Sequence, residues 1–195
     1  MTKTILTTAA FLIVAATANA QSGSNKEMET MMKAWEAYAT PGDAHKELAK
    51  EVGAWTTEST MWMMPNDPKP MKTTGTAEIK MAYGDRYQIG THKGDFMGMP
   101  FEGTSTVGYN NASKKWESTW IDNMGTGVMF MSGVYDPKTK TSTFVGRCTD
   151  PITGKEKSVR ETYTIVDDNT RKMTMYDTDE KGKEYKTMEM TMKRR

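Results

Sequence analysis

Side chains able to do chemistry are sparse in this chain of 195 residues, which holds two histidines, His45 and His92, and one cysteine, Cys148. Those three cannot complete a tetrahedral zinc site without several carboxylates, so no metal and no other cofactor is implied. A G-x-S-x-G turn, a cysteine and histidine at a nucleophile and base interval, and a phosphate-cradling glycine loop are all missing from the sequence. The polar residues best placed to share a cavity are Asp122, Arg147, Arg160 and Glu161. Cross-strand ion pairing explains such a set with fewer assumptions than acid and base roles do, so the sequence gives catalysis no support. His92 stands in mid-strand near Lys93 and Asp95, where an inward side chain would meet a haem or a polar ligand group; an isolated histidine is more often plain packing. His45 reads as a packing or surface residue of a short helix, and Cys148 as a small buried hydrophobe. Asp177-Thr178-Asp179 with Gly182 lacks the closing glutamate of a calcium loop and reads as a hairpin turn. Met97 and Met99 offer thioethers that suit Cu(I), but alternating strand methionines need no metal to explain them.

The elements that position these groups are mostly strands. Met188, Met190 and Met192 alternate with Glu189 and Thr191, a period of two that puts thioethers on one face of a pleated strand and polar groups on the other. Met173-Thr174-Met175 and Met129-Phe130-Met131 repeat the pattern. Strands are expected near residues 55–63, 72–82, 86–96, 101–109, 115–122, 128–135, 141–149, 156–166, 171–178 and 184–193, divided by turn signals such as Tyr83-Gly84-Asp85, Asn110-Asn111 and Asp136-Pro137. Short loops make sequence neighbours sheet neighbours, and closure removes two exposed edges. The expected fold is therefore mainly β, a single antiparallel up-and-down barrel of about ten strands, with N-terminal helices covering one end. Those helices are signalled by Met28, Met31, Met32, Trp35 and Tyr38 at three- and four-residue spacing, and by Thr40-Pro41-Gly42-Asp43 leading through Leu48 and Val52 to a stop at Gly53.

Three segments follow: a leader over 1–20, a helical segment over 21–53 and a barrel over 54–195. Lys3, the apolar run Ile5 to Ala16 and Ala18-Asn19-Ala20 have the form of a cleavable signal peptide, which would begin the mature chain at Gln21 in a periplasmic or extracellular setting. No further stretch is apolar enough to span a membrane. The formal charge of +1 becomes 0 once Lys3 is removed, with both signs interspersed, so no basic field exists to neutralise a nucleic-acid backbone. One cysteine cannot form an internal disulfide, and stability must come from packing and sheet closure.

Gly53-Ala54-Trp55 resembles the G-x-W signature at the first strand of lipocalins, whose tryptophan packs near a basic residue; Arg194 or Arg195 would take that role. A wider resemblance rests on Gly98-Met99-Pro100-Phe101-Glu102-Gly103, on Gly108-Tyr109-Asn110-Asn111 with Trp116, and on Ser118-Thr119-Trp120-Ile121-Asp122-Asn123-Met124-Gly125-Thr126-Gly127. With His45-Lys46-Glu47-Leu48 and Asp150-Pro151, these residues resemble an uncharacterised secreted bacterial family, domain of unknown function 1579. The resemblance implies a lipocalin-like barrel and carries no reaction with it.

Parity gives a candidate interior. If Trp116, Ser118, Trp120 and Asp122 share the inner face, then Tyr109, Met129, Met131, Met173, Met175, Met188 and Met190 join them, with His92, Arg147 and Glu161 as polar candidates. Unbranched, polarizable methionines adapt to several apolar guests. The expected function is an exported barrel binding a small apolar or amphipathic molecule. Two alternatives stand beside it: a solid-core interaction protein recognised through its outer face or the Met28 to Tyr38 helix, and a small-molecule enzyme using Arg147, Glu161 and Asp122. The sequence names neither a protein partner nor an oligomeric state.

Overall fold

A computed structural model describes the backbone over residues 9–179 and 181–195, with side chains from Ser24 onward. Of the expected leader, residues 1–8 lie outside the described residues. Helix α1 covers Ala9–Ala39, which contains the expected cleavage point after Ala20. It forms its own compact unit, ending at Thr40. Its methionine stripe is exposed at Met28, Met31, Met32 and Trp35, while the rings of Trp35 and Tyr38 meet edge to face at 5.8 Å. Among the described residues no helix is long and apolar enough to cross a membrane.

The second unit runs from Pro41 to Arg195. It contains helix α2 (Asp43–Ala49) and ten strands: β1 (Gly53–Met61), β2 (Met71–Ala82), β3 (Tyr87–Phe96), β4 (Met99–Asn110), β5 (Lys115–Asp122), β6 (Met129–Asp136), β7 (Thr141–Thr149), β8 (Glu156–Asp167), β9 (Thr170–Thr178) and β10 (Glu184–Arg194). Each strand pairs antiparallel with its sequence neighbours, and β1 pairs with β10, so the sheet closes into an up-and-down barrel without a free edge. Closure runs from Trp55 opposite Arg194 to Met61 opposite Met188. Register slips between Lys186 and Met188 in β10 and between Ile165 and Asp167 in β8, where bulges let a twisted sheet bend.

Alternation decides which side chains fill one end. Trp55 points inward from the start of β1 and is wholly buried, packed with Ala77, Ile79 and Met192. Its Nε1–H donates to the carbonyl of Glu51 at 2.9 Å. The guanidinium of Arg194 lies 4.3 Å from the ring centroid and donates to the carbonyls of Val52 and Lys50, so Arg194 holds the position expected for the basic partner. Gly53 has φ of 135°, and a Cβ there would come within 2.9 Å of the Arg194 guanidinium, which is why the handover from α2 to β1 needs glycine. Arg171, also buried, donates from Nε to Glu51 at 2.7 Å, and Tyr163 donates its hydroxyl to the same carboxylate at 3.0 Å. A buried ion pair with every group bonded, together with two guanidiniums over the Trp55 ring, closes this end.

Helix α2 completes the seal. His45 is buried and accepts the Gly42 N–H at 3.0 Å on Nδ1, its ring meeting Tyr109 edge to face at 6.2 Å, while Gln88 donates to the carbonyl of Leu48. His45 is thus a packing residue. Burial, reinforced by nearby Arg86, disfavours its charged form, although a hydrogen bond to the Tyr109 backbone works the other way.

Candidate functional site

Cross-strand registers place twelve of the thirteen sequence-derived lining candidates on the inner wall, and the thirteenth, Arg147, on the outer one. Tyr109 stands opposite Trp116, Ser105 opposite Trp120 and Gly103 opposite Asp122; Met129 and Met131 then face Trp120 and Ser118. Glu161 lies between Phe144 and Met175, and Met173, Met175, Met188 and Met190 continue the same face across β9 and β10. His92 pairs with Ala77 and Gly103 on β2 and β4. Arg147 pairs with exposed Phe130, keeps 72% of its side-chain surface and bonds Glu156 outside the barrel. Arg160 is likewise outside, donating two bonds to Glu184 and stacking on Tyr176 at 3.8 Å. The expected Asp122, Arg147, Arg160 and Glu161 cluster is therefore split by the wall: its acids face in and its arginines face out.

The inner wall is not filled by one continuous core. Fully buried apolar side chains form two clusters, one around Trp55 at the sealed end and another of Met131, Phe144 and Val159 on the β6 to β8 side. Met190 packs against the first cluster and Trp116 against the second, and these two with inward-facing Trp120, His92, Glu161 and Met175 keep part of their accessible surface. They keep it in a barrel of more strands than the eight whose interior side chains can just fill.

Glycines keep large rings against the wall. A Cβ on Gly103 would fall 2.4 Å from Cζ2 of Trp120, so the indole lies flat over that bare backbone. Trp120 is then stacked on Phe101 at 6.2 Å, meets His92 at 5.1 Å and donates from Nε1 to Asp122 at 2.6 Å. Asp122 also accepts the Met124 N–H at 2.9 Å. Its carboxylate serves to orient the tryptophan and the following loop. Tyr109 and Trp116 meet at 5.1 Å beside the α2 seal.

Besides Tyr163, whose hydroxyl is pushed well above its ordinary range by burial, two ionisable groups in this wall depart far from their ordinary behaviour. Burial raises the Glu161 carboxyl to about 7, with no neighbouring charge or hydrogen bond contributing. No described residue bonds it, and since no buried side-chain oxygen is left unsatisfied, its oxygens keep some accessible surface. Burial lowers His92 to about 4, so its imidazole is neutral near pH 7; Nε2 is 3.2 Å from Ser105 Oγ. Nearer the unsealed end, Lys157 bonds Asp177 at 2.5 Å with Asp150 at 3.5 Å, and burial keeps the Cys148 thiol protonated. Among the described residues no set of three or more His, Cys, Asp or Glu is gathered as a metal site.

The end opposite α2 carries the hairpin loops that follow β1, β3, β5, β7 and β9. They present Met63, Met64, Met97, Met124, Val128 and Ile152 to solvent, the last at 91% exposure. Sequence reading gives none of these mouth residues a part in apolar binding: Met97 figures only as a Cu(I) thioether and Met63 only as the end of the first strand. Apolar side chains among turn-formers such as Asn66-Asp67-Pro68 were the available signal. A separate groove of about 570 Å³ on the barrel exterior is lined mainly by outward Glu58, Thr60, Lys72, Thr74 and Glu189, and gathers no orphaned group.

Known proteins agree with this architecture. The crystal structure of Rv2717c from M. tuberculosis superposes with a TM-score of 0.60 at 13% identity, over 80% of this chain and 99% of that one. The S-type phycobiliprotein lyase CPES from Guillardia theta gives a TM-score of 0.50 at 10% identity, over 78% of this chain and 92% of its own. At such identities the likeness is one of fold. No curated protein matches the chain. The family model described as protein of unknown function (DUF1579) matches residues 40–194, from the start of the α2 turn to the last residue of β10, and the chain belongs to that family.

Proposed function

We propose that this protein is an exported binding barrel that holds a small apolar or amphipathic molecule in its lumen. The observation that carries the reading is the partial accessibility of inward-facing Trp120, Met175, Met190 and Glu161 in a barrel sealed at one end. Thioether walls accept guests of varied shape, and the aromatic set around Trp120 offers a flat apolar surface. The exposed methionines and Ile152 around the mouth give an apolar guest partners on its way in. Export is supported by Lys3, the apolar run to Ala16 and Ala18-Asn19-Ala20.

Native mass spectrometry of the protein purified from its own cells is the test. The expected result is a mature chain starting at Gln21 with a retained small molecule, and saturable quenching of tryptophan emission when an apolar probe is added to the emptied protein. A chain that retains nothing and quenches with no apolar probe overturns the binding reading. A chain that still begins at Met1 overturns export.

A further inference from the structure

Glu161 is the one feature of the lumen that packing does not explain. An inward carboxylate on β8 normally finds an arginine, a lysine or backbone N–H groups, because an ionised group without partners is costly to remove from water. Here β7 brings Phe144 against it and β9 brings Met175, while Val159 and Tyr163 flank it along β8. The Tyr163 hydroxyl is turned away, donating to Glu51 at 3.0 Å. The inward cations are committed elsewhere: Arg171 to Glu51, Arg194 to the Val52 and Lys50 carbonyls, Lys157 to Asp177. The other inward acids are also satisfied, Asp122 by Trp120 and Met124, Asp177 by Lys157 and the Thr178 N–H.

Resting on the binding-barrel reading, we propose that the lumen selects amphipathic molecules carrying a basic nitrogen, with the protonated amine paired to Glu161 and the apolar body lying along Met175, Met190 and Trp120. A cation supplies what the wall withholds, a charge-assisted donor in a water-poor setting where such a bond is strong. A fatty acid would instead bring a second carboxylate to an acid already disfavoured in its charged form. Ion pairing pulls Glu161 from the neutral to the ionised form, so binding an ammonium expels a proton wherever the empty protein holds one.

The experiment compares dodecylamine, dodecanol and dodecanoate, each below its micellar concentration, by tryptophan quenching on the full mature protein at about pH 6 and about pH 8, bracketing the Glu161 titration. Dodecylamine is expected to bind about tenfold or more tighter than dodecanol at the higher pH, with the ratio shrinking at the lower one. Glu161→Gln and Glu161→Met should abolish that preference, bringing the dodecylamine and dodecanol affinities within about twofold of each other. If all three probes bind and the amine is not preferred, or its preference survives both substitutions, the amine selectivity is wrong and the binding reading stands. If none binds, both fall. Should either variant fail to fold, the pH dependence of the amine-to-alcohol ratio in the parent decides: a flat ratio overturns the proposal.

Discussion

Glu161 on β8 and His92 on β3 lie on opposite walls of the barrel, five strand steps apart in either direction around the closed order. Burial drives the two titrations in opposite senses, the carboxyl from 4.5 up to about 7 and the imidazole from 6.5 down to about 4. Both groups are neutral over much of the mildly acid range, which makes the inner wall less polar than its composition suggests.

Stability should record this opposition. The folded state holds a proton on Glu161 that the unfolded chain releases, so its contribution falls as pH rises from about 4.5 to about 7. His92 behaves oppositely: the unfolded chain binds the proton, so stability rises with pH from about 4 to about 6.5. In the parent the two slopes offset each other. Relative to the parent, Glu161→Gln should be more stable at about pH 8, by up to about 3.5 kcal/mol, from a rise of about 2.5 in pKa at about 1.4 kcal/mol each. That figure is a ceiling, because the carboxyl keeps some accessible surface. His92→Gln should steepen the loss of stability from about pH 4.5 to about pH 6.5. Urea melts of the three proteins across that range check both signs, and a Glu161→Gln variant no more stable than the parent at the higher pH would show the carboxyl to be compensated.

Gly103 tests whether the tryptophan lies flat. A methyl group there would meet Cζ2 of Trp120 at 2.4 Å, a separation real Cβ atoms do not adopt. In Gly103→Ala the indole must swing off the wall into the lumen, breaking its 2.6 Å bond to Asp122. Loss of this half-buried hydrogen bond together with repacking is worth about 1–3 kcal/mol. The variant should therefore melt lower, shift its tryptophan emission and lose affinity for apolar probes. Unchanged probe affinity would mean that guests do not lie against Trp120.

Much of this architecture could be read from the sequence, because alternation and turn chemistry are local. All ten expected strands occur within two residues of their observed bounds, and the parity of Trp116, Ser118, Trp120 and Asp122 gave the inner face. The same parity forbids Arg160 and Glu161 from sharing a face, since they are consecutive in one strand, and it should have dissolved the expected four-residue cluster. Arg147 failed differently: Gly146 and Cys148, small and inconspicuous, hold the inward positions around it. The seal at Glu51 was beyond local reasoning, because its partner Arg171 stands 120 residues away and meets it only once the barrel closes.

Outside the wall, charge pairs should matter little. Arg147 and Glu156 keep 72% and 58% of their side-chain surfaces, where solvent and salt screen the attraction. Arg147→Ala is expected to change unfolding free energy by less than about 0.5 kcal/mol and to leave probe binding unaltered. A marked loss of binding would return Arg147 to the site.

The seal makes the opposite prediction. Glu51 and Arg171 keep only 9% and 3% of their side-chain surfaces, and the carboxylate also receives the Tyr163 hydroxyl. Truncating one partner leaves a buried charge uncompensated, which costs about 3–5 kcal/mol. Arg171→Met removes the charge yet keeps an unbranched apolar stem beneath Trp55, and it strands Glu51; Glu51→Gln strands Arg171 but preserves shape and one acceptor. Each single variant should lose several kcal/mol in a urea melt, while Glu51→Gln with Arg171→Met should recover part of that loss, because no orphaned charge remains. Recovery in the double variant identifies the pair as a mutual necessity of burial. Losses that simply add would show that each residue acts through separate contacts, Arg171 through the Trp55 ring and the Asp167 and Thr170 carbonyls.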